Sequence, residues 1–129
     1  MKQLLFLLLF IPLSSFAQCD TINITSYPDI DAKFPGGPSK MMKFILENIE
    51  YPEVGRCSLG EFTGRIYIKF IVCEDGTIIN PICKRGSGDE EMDQMAIDLI
   101  KQMPRWVPAR TNDAPVPSFV ILPIIICLQ

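Results

Sequence analysis

Along this chain the spacing of apolar residues switches between two periods, and each switch marks an element. Met42, Ile45, Leu46 and Ile49 fall at i, i+3, i+4 and i+7, one face of an amphipathic helix. Phe34-Pro35-Gly36-Gly37 is a breaker cluster just ahead of it, and Pro38 suits the first helical position. Tyr51-Pro52 ends the helix, because a residue before proline is pushed out of the α region. At Gly64 the period drops to two. Ile66, Ile68, Phe70 and Val72 share one face and Arg65, Tyr67 and Lys69 the other, which predicts a half-buried strand over 64–73. Asp75-Gly76 predicts a two-residue hairpin turn with Cys73 opposite Ile78. The return strand runs from Thr77 to Lys84, with Pro81 marking a bulge.

Helical spacing then resumes. Ser87-Gly88-Asp89-Glu90 reads as a capping box, and Met92, Met95, Ala96, Leu99, Ile100 and Met103 form a full apolar stripe that Pro104 closes. A polar turn over 111–114 leads into the last strand, Phe119 to Leu128, an uncharged run rich in Val and Ile. The run is too short for a spanning helix, which takes about 20 residues.

The order is helix, strand, strand, helix, strand: an α+β domain in two layers. A right-handed crossover sets the last strand beside the first and antiparallel to it. The result is a three-stranded antiparallel sheet of order 3-1-2, with two helices on one face. The last strand is then an edge, where Pro123 costs no ladder bond. Val120, Leu122, Ile124 and Ile126 share one of its faces, and Phe119, Ile121, Ile125 and Cys127 the other. One face can cover the helices. The other needs cover from Tyr67, Trp106, a partner or the segment before residue 34. Trp106 reads more simply as a core anchor at the helix–strand junction.

Residues 1–17 read as a signal peptide: Lys2, an apolar stretch from Leu4 to Leu13, and small residues at Ser15 and Ala17, with cleavage after Ala17. The expectation is a periplasmic protein. The alternatives are an uncleaved tether and a lipid on Cys19. Residues 18–33 read as a polar leader, extended or flexible, and residues 34–129 as the domain. An exported compartment permits disulfides among Cys19, Cys57, Cys73, Cys83 and Cys127. The strand parity set by the hairpin keeps Cys73 and Cys83 apart, and Cys57 in the connecting loop is placed to reach Cys127 or Cys83.

Composition narrows the chemistry. The chain has 12 basic and 15 acidic residues, net charge −3, and no histidine. No basic stripe exists to hold nucleic acid. Without histidine a cysteine nucleophile lacks its usual base, and no phosphate loop or metal-ligand spacing stands out. The acids at Asp89, Glu90, Glu91 and Asp93 suit a helix N-terminus better than a metal. The expectation is a non-enzyme with no cofactor and no metal.

Taken in order, these pieces resemble the C-terminal domain of TonB. Phe34-Pro35-Gly36-Gly37 precedes the first helix and Tyr51-Pro52 follows it. Gly64-Arg65 opens the first strand and Asp75-Gly76 turns it. Met103-Pro104-Arg105-Trp106-Val107-Pro108 closes the second helix, and Leu122-Pro123-Ile124 lies in the last strand. The resemblance implies structural roles for Phe34, Gly36, Gly37, Gly76, Trp106 and Pro108.

In TonB this domain captures a short extended peptide of an outer-membrane transporter along the edge of its sheet. Carried onto this chain, the resemblance implies a periplasmic peptide-binding module related to energy transducers of outer-membrane transport. Its contact residues would be Tyr51, Pro52, Val120, Ile121, Leu122, Ile124, Ile125 and Ile126. The partner would be a transporter segment or another envelope protein. The alternative is a self-associating structural or adaptor protein, a homodimer through the same edge, with no part in transport. At about 3.3 Å per residue the leader reaches about 50 Å, short for crossing a periplasm, so force transmission is not expected of it.

Overall fold

The computed structural model describes residues 19–49, 64–86, 88 and 90–126. The signal-peptide reading, Tyr51, Pro52, Cys57, Ser87, Asp89 and Cys127 lie outside the described residues, as do the side chains of Ile125 and Ile126.

The chain forms α1 (Pro38–Asn48), β1 (Gly64–Val72), β2 (Ile78–Arg85), α2 (Glu90–Lys101), β3 (Ala109–Thr111), β4 (Ala114–Val116) and β5 (Ser118–Ile126). The main sheet has the order β2-β1-β5, and both pairings are antiparallel. This is the α+β architecture that the sequence predicts, with the last strand at the rim.

The core is where the two periodicities meet. Ile66, Ile68, Phe70 and Val72 of β1 are fully buried, and Leu122 and Ile124 of β5 join them. From α2 come Met92, Ala96, Leu99 and Ile100, with Met103 just beyond, so the predicted stripe is the buried one. Trp106 anchors this core edge-on to Phe34 and Phe70, with ring centroids 5.9 and 5.3 Å away. Such contacts add about 0.5–1.5 kcal/mol to what burial supplies.

The first helix is rotated from its predicted face. Ile45 is buried and Ile49 packs on the core as predicted, but Met42 and Leu46 are exposed, and Met41 and Phe44 pack on the core in their place. Phe44 stacks against Phe34 at 5.8 Å. That ring, delivered by the Phe34-Pro35-Gly36-Gly37 turn, decides which side of α1 faces inward. The turn closes through Gly37 N–H to Phe34 C=O at 2.9 Å, and Gly36 and Gly37 both take positive φ. Pro38 starts the helix as expected.

The β1–β2 turn is also shifted. Cys73 pairs with Thr77, not Ile78: its N–H donates to Thr77 C=O at 2.8 Å, and Gly76 N–H donates to Cys73 C=O at 2.9 Å. Glu74-Asp75-Gly76 is thus a three-residue loop with Gly76 in the left-handed region, the common alternative to a two-residue turn. The bulge near Pro81 is present. Lys69 faces Ile82 and Ile71 faces Ile79, so Asn80 and Pro81 together oppose Phe70, and Asn80 takes φ 52°.

The polar turn over 111–114 carries more structure than expected. Asn112 and Asp113, at φ 52° and 60°, form the tight turn of the β3–β4 hairpin. Two successive left-handed residues match the twist of a two-residue hairpin, and Asn and Asp tolerate that region best after glycine.

Candidate functional site

The site begins with the register of β5. β1 and β5 pair from Gly64–Ile126 through to Val72–Ser118 without a break. In an antiparallel ladder alternate residues send their N–H and C=O groups to opposite sides. Phe119 N–H donates outward, to Thr25 C=O at 3.1 Å. By alternation Ile121, Pro123 and Ile125 also face outward, while Val120, Leu122 and Ile124 bond β1. Pro123 therefore sits at a position whose missing N–H would have pointed away from the sheet. That is why a proline is tolerated in this strand.

The predicted contact residues thus separate by parity. Leu122 and Ile124 are buried against the helices and Val120 is half-buried there, so their side chains hold the strand in place. Among the described residues of this set, Ile121 is the one with an exposed side chain, at 46%. Beyond Phe119 N–H, no outward backbone group of β5 has a partner among the described residues.

The face of the sheet turned away from the helices is partly covered. Cys73 and Ile71 are buried at the end where the leader attaches. At the other end Ile121 and Ile82 remain exposed on either side of Lys69, whose Nζ lies 4.2 Å from the Phe119 ring centroid. β1 and β2 contribute Arg65, Lys69, Lys84 and Arg85, and no strand of this sheet carries an acid. A chain of net charge −3 has segregated its acids away from the sheet.

The leader is where sequence reasoning missed most. A disulfide joins Cys19 to Cys73 across 54 residues. Its sulfur is therefore not available for the lipid considered at Cys19. Thr25 bridges Ser118 in the parallel sense, Ile30 bridges Arg110 and Lys33 bridges Val107. Asp29 accepts from Asn112 N–H at 2.9 Å. Nothing in residues 18–33 has a period, and isolated bridges leave none. Cys83 is a free thiol, so it does not pair with Cys57. Burial first, then Asp93, pushes the Cys83 thiol up.

Two of the residues to which the resemblance gives structural roles lie near the end of α2 and the turn it meets. Gly76 lies against the backbone of Trp106, and Trp106 N–H donates to Gly76 C=O at 2.9 Å. Pro108 follows the Lys33–Val107 bridge, half-buried. Among the described residues no group of three metal-ligating side chains exists, and no helix is long and apolar enough to cross a membrane.

No curated protein and no solved structure matches the chain at a significant level. A family does: Gram-negative bacterial TonB protein C-terminal, over residues 47–125. That family is a non-enzymatic, transport-related domain of the Gram-negative envelope, whose members interact with outer-membrane transporters and envelope proteins. The matched region is more than half of the chain and holds β2, β1 and all of β5 but its last residue, so the chain belongs to the TonB C-terminal domain family.

Proposed function

We propose that this protein is a periplasmic binding module that captures an extended segment of an outer-membrane transporter, or of another envelope protein, as an added strand on β5. The observation that carries this reading is the rim of β5 from Ile121 to Ile125, with outward backbone groups that have no partner among the described residues. Added backbone bonds supply affinity, and alternate side chains beside Ile121 supply selectivity. Tyr51 and Pro52 are the proposed neighbours of the captured strand.

The register dictates the test. Proline at 121 and 125 removes outward N–H groups and leaves the β1 ladder intact. Proline at 120 or 124 would cut that ladder. Capture of outer-membrane transporters from envelope extracts is expected for the parent protein and lost in the Ile121→Pro plus Ile125→Pro variant. Equal capture by both, with the variant's fold confirmed by circular dichroism, would exclude the β5 rim. Sedimentation separates the self-pairing alternative: a two-fold dimer through β5 would dissociate in the same variant.

A further inference from the structure

Among the described residues, the leader meets the rim of β5 at one place. Thr25 N–H donates to Pro117 C=O at 3.0 Å, and Thr25 C=O accepts from Phe119 N–H, so Thr25 fills the first outward position of the strand. It goes no further, because the Thr25 hydroxyl accepts from Tyr27 N–H at 3.1 Å and bends the chain away. Asp29, Ile30 and Lys33 then carry the leader off to β3 and the Val107 segment. Upstream of Thr25, the sole tie to the domain among the described residues is the Cys19–Cys73 disulfide. Thr25 is therefore held between a covalent anchor on one side and backbone bridges on the other.

We propose that the leader is a redox-sensitive strap: closed by its disulfide, it occupies the rim at Phe119 and confines an incoming strand to the stretch from Ile121 to Ile125. This limit on strand length rests on the binding reading above; the strap itself does not. Opening takes a dithiol reductant. One of its thiolates attacks the half-buried Cys19 sulfur, forming a mixed disulfide and expelling Cys73 as a thiolate. Its second thiol then displaces Cys19. Two electrons and two protons pass to the cysteine pair, and the reductant leaves as a disulfide. The segment before Thr25 then has no anchor and frays, as untied segments do. Phe119 N–H is freed, and the rim lengthens by one outward position.

Amide exchange in the full chain, oxidised or treated with a phosphine reductant, reads this without any ligand. Oxidised, the Phe119 amide is protected and the Ile121 amide exchanges fast. On reduction Phe119 is expected to exchange about tenfold faster or more and to approach the rate of Ile121, while Leu122 and Ile124, which bond β1, lose only what the fall in global stability takes and stay far better protected than Phe119. Cys19→Ser is expected to reproduce this without reductant. Thr25→Pro is expected to expose Phe119 with the disulfide intact. Unchanged Phe119 protection on reduction would overturn the proposal. So would Leu122 and Ile124 falling to the same fast rate as Phe119, which would make the disulfide a staple of the whole sheet. Failure of transporter capture would leave these readouts untouched, so the two readings fail separately.

Discussion

Trp106 N–H donates to the Gly76 carbonyl at 2.9 Å, and the Trp106 carbonyl oxygen occupies the space that a Cβ at position 76 would need. The tip of the β1–β2 hairpin is thereby pinned to the segment that ends α2. Gly76 is at φ +87°, so a side chain there meets strain as well as the clash. Gly76→Ala is expected to destabilise the fold by more than about 1 kcal/mol, measured by denaturant unfolding. A variant as stable as the parent would contradict this packing.

The Cys19–Cys73 bond closes a loop across 54 residues. Chain entropy assigns such a cross-link about 4 kcal/mol, chiefly through the unfolded state. Reduction, or Cys19→Ser, is expected to lower unfolding stability by up to about that amount. No change in the denaturation midpoint would show that the leader contributes nothing to the domain.

Asp75 gives a pH dependence. The Thr77 hydroxyl first, then the Thr77 N–H at 3.0 Å, hold its carboxyl below the ordinary aspartate value, and Arg105 adds to this. A pKa lower in the folded state than in the unfolded one stabilises the fold above the unfolded value, about 3.9, and that stabilisation is lost as pH falls through the folded pKa. Asp75→Asn is expected to flatten the acid limb of a stability–pH curve and to leave its shape near neutrality unchanged. The group is exposed, so the effect is small. Identical acid limbs would remove Asp75 from the account.

Cys83 is expected to be a slow thiol. Its raised pKa leaves little thiolate at neutral pH, and the thiolate is the nucleophile. Iodoacetamide modification at Cys83, followed by peptide mass mapping, is expected to run well below the rate in the unfolded chain. Equal rates would contradict its burial.

How much of this was legible in the sequence follows from range. β1 and α2 were legible because each buries its own face: alternation at Ile66–Val72 and helical spacing at Met92–Met103 need no outside information. The edge position of β5 followed from topology and from Pro123. The face of α1 was legible only in part: Ile45 and Ile49 pack inward, but Phe34, set in place by a glycine turn, draws in Phe44 over Met42 and Leu46. The hairpin register slipped by one because Asp-Gly fits two turn lengths, and Trp106, 30 residues on, favours the longer one. At the site, Ile121 could be named from sequence. Its separation from Leu122 and Ile124 by backbone direction could not, since that depends on which edge β1 occupies. The leader's grip on Phe119 rests on a single residue, Thr25, and one bridge makes no pattern.

The account turns on whether β5 accepts a strand at its rim, and amide exchange at Ile121 and Ile125 tests this most directly. In the free protein both amides are expected to exchange fast while Leu122 and Ile124 stay protected. In complex with an outer-membrane transporter, Ile121 and Ile125 are expected to become protected and Leu122 to stay as it was. A complex that forms with both outward amides still exchanging at their free rates would contradict it.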